Sequence, residues 1–517
     1  MKTKSQAAFL LLTVFVGGMT TMAVEMSASR LLDPYFGNSL LIWTVLIGLV
    51  LIYLTVGYYL GGKLADRYPH AGTLFQLIAW AGFVIGLIPT VSAPILRYAV
   101  VGFAEYSVGL LAGSLLAVLL LFAVPVTLLG CVSPYAIRLT MRDVDSAGNT
   151  AGGIYALSTL GSIVGTFSPV LLFIPNIGTR KTFLLFALVL LLIAVIGLIR
   201  AASRWAPLYG ALLLAIVVLI VLFPPGVIKA AAGMVFETES AHNYIQVVKE
   251  GNTCYLHLNE GEGIHSIYTP GQVLSYGIWD LFLIAPFLNN FPFEATQVRS
   301  LCMIGLAGGT VSKAYTEIYG PIAIDGVELD AEIIETGRRY FAMTEPNLNA
   351  VAQDGRYFLT HQGKRYDVVA IDAYRPPYIP FHLTTQEFFQ EVSDHLTDTG
   401  VLAINVGRTQ SDYGLVNVLS NTAGMVFPSV YVIDAPDYGS DLGNSLVVAT
   451  KQLTRPENLA ANMALMDNPF LLEVAEQSLP TLRPYLASDA ELVFTDDKAP
   501  VEQVTHGLIV RYVMGIE

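Results

Sequence analysis

Charge is scarce in this chain. Only 13% of its 517 residues are Asp, Glu, Lys or Arg, while 54% are hydrophobic. The mean hydropathy is +0.57. That balance excludes an ordinary water-soluble globule and points to membrane-spanning segments. Cysteine is scarcer still. Cys131, Cys254 and Cys302 lie far apart, so neither a disulfide framework nor a CxxC metal pair is suggested. No metal site is expected. Positive charge is short in the second half. Residues 1–228 hold 12 basic and 6 acidic residues, a net of +6. This leaves 16 of the chain's 28 basic and 35 of its 41 acidic residues beyond, a net of −19. Nucleic acid needs a basic face, so it is not an expected partner.

What is present divides at about residue 228. Before it lie seven apolar stretches, near 7–24, 39–60, 72–91, 107–130, 150–174, 181–199 and 206–223. Each approaches the roughly 20 residues that a bilayer requires, so the first domain, 1–228, reads as about seven transmembrane helices in a lipid bilayer. The first stretch lacks a clear small-x-small cleavage site and is read as a retained span. Small residues recur, as in TLGSIVGTFSP, and allow close helix packing in lipid. Lys2, Lys4, Lys63, Arg67, Arg138, Arg142, Arg200 and Arg204 fall on the N-terminal side, against Arg30, Arg97, Arg180 and Lys181 on the other. Eight against four predicts a multi-pass inner-membrane protein with a cytoplasmic N-terminus. Seven spans then carry the C-terminal half outside, although its side of the membrane is left open.

After PPGVIKAAAG the period changes. Residues 235–270 form a small region in which NYIQVVKEGNTCYLHL alternates about a Gly-Asn turn, the pattern of a β-hairpin. From 271 to 517 short apolar strands alternate with amphipathic helices. Strands are expected at 301–305, 322–329, 349–354, 366–372, 401–406, 429–434 and 445–450. This is the pattern of a mostly parallel, doubly wound α/β sheet, which binds ligands at the carboxyl ends of its strands. Those ends carry the chemistry. The first runs into GLAGGT, with Gly305, Ala307, Gly308 and Gly309, where backbone N–H groups can approach a ligand. It is not GxGxxG, which disfavours a dinucleotide. The second ends in VELD, where Glu328 can take both hydroxyls of a ribose and Asp330 follows. The third ends in QDG, where Asp354 can accept from an adenine amino group beside Gly355. The fourth ends in Asp372, within DAYRPPYIP. A single such acid is more often a turn or cap residue; the set in register outlines a nucleoside pocket with a spare carboxylate.

These motifs, with NYIQV and DVVAIDAYRPPYIPFHLTTQEFF, resemble the class I S-adenosylmethionine fold and, more narrowly, the spermidine synthase (aminopropyltransferase) family over about residues 235–450. The whole chain is similar to the bacterial subgroup that carries transmembrane helices ahead of such a domain. The resemblance implies a Rossmann-like domain and a sulfonium nucleoside as co-substrate, either decarboxylated S-adenosylmethionine or S-adenosylmethionine. It implies a small-molecule amine acceptor, a possible homodimer, Glu328 on the ribose, Asp354 on the adenine and Asp372 as base. Tyr244, Gln246, Asp280, Tyr374 and Arg375 would line the substrate side. The chain departs from the family where a Tyr-Gln-Glu run falls on Ile278, Trp279 and Asp280, keeping only the acid, and at two further positions. Gly308 replaces an aspartate that holds the cofactor amine, and Arg375 replaces the aspartate that holds the substrate amine. An acceptor that bears an acid group, or lacks a second ammonium, is therefore expected. Two other readings remain: a methyltransferase using S-adenosylmethionine, and a nucleoside- or polyamine-binding sensor without turnover. GGKLADR, Gly61 to Arg67, resembles a loop of major-facilitator transporters, which keeps a transporter-like protein among the latter.

Overall fold

A computed structural model describes residues 4–36, 40–103, 109–141, 146–222, 228–259, 263–374, 379–436, 442–488 and 490–514. The chain divides into two compact units. One is Met1–Ala232 with Glu237–Tyr244; the other is Gly233–Phe236 with Ile245–Glu517.

The first unit is helical: α1 (Lys4–Phe36), α2 (Leu40–Arg67), α3 (Ala71–Phe103), α4 (Gly109–Gly130), α5 (Val132–Thr140), α6 (Ala147–Ser168), a π-helical turn (Pro169–Phe173), α7 (Ile174–Ile177), α8 (Thr179–Arg200) and α9 (Ala206–Leu222). Among the described residues, six segments are long and apolar enough to cross a membrane: Ser5–Phe36, Ile42–Arg67, Ala71–Ala99, Ala112–Thr140, Ala147–Ile177 and Thr179–Arg200. The seventh stretch of the sequence is the shorter apolar helix α9. Its 17 residues reach about 25 Å at 1.5 Å each, just under a hydrocarbon core of about 30 Å.

Small residues set the packing. A Cβ on Gly161 would lie 2.0 Å from the Phe15 carbonyl oxygen, and one on Gly165 would lie 2.0 Å from that of Met19. The GSIVG segment of α6 therefore touches the α1 backbone, the close approach that small-xxx-small spacing permits. The direction of each helix follows from such contacts. Phe9 of α1 meets Phe75 of α3 with ring centroids 5.8 Å apart, so α1 and α3 begin at the same end. Arg200, at the close of α8, stands over Phe9 at 4.4 Å. Trp80 meets Tyr209 at 6.4 Å, and Gly86 lies against Ile216. So α9 runs alongside α3 and in its direction. The chain emerges beside the far end of α1, where the Tyr35 hydroxyl donates to the Ile228 carbonyl at 2.8 Å and Lys229 Nζ to that of Pro34 at 2.8 Å.

A polar knot holds the exit segment. The Glu239 carboxylate accepts from the Thr179 backbone N–H at 2.8 Å and from its hydroxyl at 2.6 Å. Burial nevertheless raises the Glu239 pKa. Arg30 donates to the backbone carbonyls of Ser240 and His242.

Two sheets follow the helices along the chain. A small antiparallel one has the order β1 (Met234–Glu239), β2 (Tyr244–Glu250), β3 (Thr253–Leu258), β4 (Ile264–Tyr268). The large one follows α10 (Ile278–Leu281). Its elements are β5 (Ser300–Ile304), α11 (Thr310–Tyr319), β6 (Ala323–Glu328), α12 (Ala331–Tyr340), β7 (Leu348–Ala352), α13 (Gly355–Thr360), β8 (Tyr366–Ile371), α14 (Gln386–Asp394), β9 (Leu396–Thr409), α15 (Gly414–Gly424), β10 (Ser429–Asp434), β11 (Leu442–Thr450), two further helices, and β12 (Arg483–Tyr485). The strand order is β12-β10-β11-β9-β8-β5-β6-β7. The run from β9 to β7 is parallel, and β10, β11 and β12 add an antiparallel flank. The sheet is thus mixed. Alternate residues feed two cores: Leu301, Met303, Val368 and Ala370 on one face, Cys302, Ile304, Val369 and Ile371 on the other. Burial on both faces explains the unbroken apolar runs of these strands. The small sheet packs its Val247 and Leu256 against Ile333 and Phe341.

Candidate active site

The site lies where β5, β6, β7 and β8 end. β5 breaks at Gly305, whose φ is +86° and whose N–H bonds to the Val327 carbonyl at 2.8 Å. A Cβ there would stand 2.3 Å from the Asp372 carbonyl oxygen, so the turn into α11 admits only glycine. Ala307 is also left-handed, at φ +47°, and Gly309 follows at +87°. This curled loop presents the Ala307 N–H to Glu328 Oε2 at 3.0 Å and the Gly308 N–H to the Ser266 hydroxyl at 2.8 Å. Thr310 Oγ1 bonds both the N–H and the carbonyl of Ile267 at 3.0 Å. β4 is thereby clamped along the glycine loop. Beside that clamp, the buried Nε2 of His265 has no partner among the described residues. Burial first, then neighbouring His257, lowers the His265 ring to about 4, so it is neutral at pH 7.

Glu328 closes β6. Its Oε1 also accepts from the Asp330 N–H at 3.3 Å. Burial pushes its carboxyl up to about 7; neighbouring Asp330 adds to the rise and the backbone donors oppose it. Asp330 is itself the N-cap of α12, accepting from the Glu332 N–H at 3.1 Å. Asp354 caps α13, accepting from the Tyr357 N–H at 2.9 Å, and its second oxygen meets His382 Nε2 at 2.9 Å. Gly355 lies against Ile304, with room for no Cβ.

Asp372 follows β8 and bonds through its N–H to the Ile304 carbonyl at 2.8 Å. Its Oδ2 accepts from Trp279 Nε1 at 2.8 Å and its Oδ1 from Asn405 Nδ2 at 2.8 Å. Asn444 Nδ2 donates in turn to Asn405 Oδ1 at 2.8 Å. Burial raises the Asp372 pKa above the usual carboxylate range, while the Asn405 and Trp279 donors pull it down. The result is a carboxylate held in one orientation by two side-chain donors, with its pKa raised.

The structure brings Gly305, Ala307, Gly308, Gly309, Glu328, Asp330, Asp354, Gly355 and Asp372 to one edge of the sheet. Tyr374 joins them: its hydroxyl accepts the Gly407 N–H; burial, with the Asp372 charge, raises its pKa, and the Gly407 bond opposes the rise. Three expected substrate residues are otherwise engaged. Both Asp280 oxygens are taken by the 275–276 turn, from Ser275 N and Oγ at 2.9 and 2.8 Å and from Tyr276 N at 2.6 Å. Its work there is to fix the turn that delivers neighbouring Trp279 to Asp372. Gln246 is buried on β2, with its amide at Met234. Tyr244 belongs to the helical unit, where its hydroxyl donates to Glu237 at 2.7 Å. Arg375 lies outside the described residues. Sequence reasoning passed over Asn405, Asn444 and Ser266. Asn405 left a signal, a lone amide inside the apolar run VLAINV. The other two sit where polar residues are common.

With this geometry in place, the comparisons with known proteins decide the family. The spermine/spermidine synthase domain model matches residues 309–458. A polyamine aminopropyltransferase of Vibrio vulnificus is 30% identical over 207 residues, covering 39% of this chain and 68% of that protein. This chain belongs to the polyamine aminopropyltransferase family. A probable polyamine aminopropyl transferase of Bifidobacterium longum is also 30% identical, over 286 residues, covering 52% of this chain and 61% of the relative's own length. Among solved structures, a probable spermidine synthase from Corynebacterium glutamicum overlaps at 19% identity and a TM-score of 0.39, covering 51% of this chain and all of that one.

Proposed function

We propose that this chain moves an aminopropyl-type group from a sulfonium nucleoside, decarboxylated S-adenosylmethionine or a close relative, to a small amine. The observation that carries the proposal is the doubly oriented Asp372 carboxylate beside the glycine loop. Glu328 takes the ribose hydroxyls and the Asp354 end of the pocket takes the adenine. Asp372 accepts a proton from the acceptor's ammonium. The freed nitrogen pair attacks the methylene next to sulfur, the C–S bond breaks, and its electrons stay on sulfur, which leaves as the neutral thioether methylthioadenosine. Alignment of nitrogen, carbon and sulfur supplies much of the acceleration. The test is methylthioadenosine release from the decarboxylated cofactor, with Asp372→Asn as control.

A second reading is favoured by Gly308. A Cβ there would lie 2.9 Å from Ser266 Cβ and 3.0 Å from the Phe341 ring, so the family's aspartate has no room. Without that acid, nothing at this position repels the carboxylate of S-adenosylmethionine, and methyl transfer from it becomes an alternative. S-adenosylhomocysteine as product, in place of methylthioadenosine, distinguishes the two.

The helical unit is proposed to lie in the membrane with α9 as a seventh crossing. Its alignment with α3 and the emergence of the chain beside Pro34 and Tyr35 support this. The N-terminal end carries eight basic residues against four, so the positive-inside rule makes that end cytoplasmic. The chain then leaves the helices on the opposite side.

A further inference from the structure

At the end of the helical unit that holds the start of α1 and the close of α8, a cavity of about 540 Å³ opens between α1, α3, α5 and α8. Its walls are of two kinds. Phe9, Phe75 and Leu139 are apolar; Arg138, Arg200 and His70 are polar. The Arg200 guanidinium rests on the Phe9 ring at 4.4 Å, and among the described residues no carboxylate pairs with it. Arg138 meets Asp66 at 2.9 Å through Nε, and that bond leaves its two terminal nitrogens for another acceptor. The first residues of α3, Ala71 and Gly72, also face the cavity. First-turn N–H groups have no acceptor within their own helix and add positive potential there.

We propose that this cavity binds an anionic phosphate group, as a free anion or as the headgroup of a phospholipid. Two guanidinium groups suit phosphate oxygens, which they grip by paired N–H donors. A basic pocket between helices at their cytoplasmic ends, with apolar walls beneath, suits an acidic lipid in particular. The proposal rests on the membrane placement of the helices and is independent of the transfer reaction. Fractionation of the chain with carbonate-washed membranes checks that placement separately.

The experiment is thermal unfolding of the full chain in uncharged detergent, with phosphatidylglycerol, phosphatidylcholine or inorganic phosphate added. Phosphatidylglycerol is expected to raise Tm in a saturable way while phosphatidylcholine does not. A rise with inorganic phosphate as large as with phosphatidylglycerol supports the site and assigns it to the soluble anion. In Arg138→Ala/Arg200→Ala the affinity for the effective ligand should fall about tenfold or more, the scale of one charge-assisted bond. If that variant does not fold, titration of the parent still decides. No rise with either anion, an equal rise with phosphatidylcholine, or unchanged affinity in a folded variant overturns the proposal.

Discussion

Asp372 and Glu328 are both half-buried carboxylates at strand ends, yet their partners give them different work. The Asp372 oxygens are aimed by Trp279 and Asn405; those of Glu328 lie on the Ala307 N–H of the glycine loop and on the Asp330 N–H. Asp372→Asn should therefore lower turnover by about 100-fold or more, the scale of general-base help, and leave nucleoside affinity within a few-fold. Single-turnover kinetics beside isothermal titration checks this; unchanged turnover removes the base. Glu328→Gln should weaken methylthioadenosine by about 1.5–3 kcal/mol, as expected for hydrogen bonds to a charged group. Its pKa adds a pH signature. The folded value of about 7 lies above the ordinary 4.5, so the folded state holds this proton more tightly. The stability it contributes is full below about pH 4.5 and is lost as pH rises through about 7. Nucleoside affinity moves the opposite way, because the ionised form accepts the ribose hydroxyls. Affinity in the parent should increase from pH 5.5 to 7.5, with this slope flattened in Glu328→Gln. At this scale the sequence was partly legible. The acids at strand ends were visible because a carboxylate after an apolar run is conspicuous. The occupation of Asp280 and the capping work of Asp330 were not, because nothing in a sequence shows where a carboxylate's oxygens point.

Elements repeat the division between what pattern shows and what packing decides. α11, Thr310–Tyr319, is one of the amphipathic helices expected between the strands, and the expected strands are found because apolar runs buried on both faces have a plain signature. β12 escaped notice; three residues, Arg-Pro-Tyr, carry no period. The seventh apolar stretch gave a helix of 17 residues, whose direction only contacts with α3 reveal. The Gly305 turn is the element on which the site hangs. Gly305→Ala should destabilise the second unit by about 2 kcal/mol or more, since it combines a left-handed backbone with a steric overlap. Chemical denaturation is the check, and a substitution costing under about 0.5 kcal/mol would contradict the reading of that turn.

For the whole molecule, the uneven charge of the two halves was readable from composition alone, because long apolar helices and an α/β sheet draw on different residues. The side on which the chain leaves the helices rests on an odd number of crossings. A protease-sensitive tag after residue 517 should be cleaved in intact spheroplasts, while a tag before residue 1 is spared; sparing of both tags means that α9 does not cross, and the reverse pattern means that the charge rule is broken. The acceptor is the least legible part, since the substrate residues named from sequence include Arg375, outside the described structure. The most direct measurement of the central claim uses the full purified chain with decarboxylated S-adenosylmethionine or S-adenosylmethionine and a panel of amines, including amino-acid amines, with both nucleoside products followed. The account predicts methylthioadenosine formed one-for-one with an aminopropylated amine, and its loss in Asp372→Asn. Formation of S-adenosylhomocysteine alone, or of neither product with any amine, would contradict it.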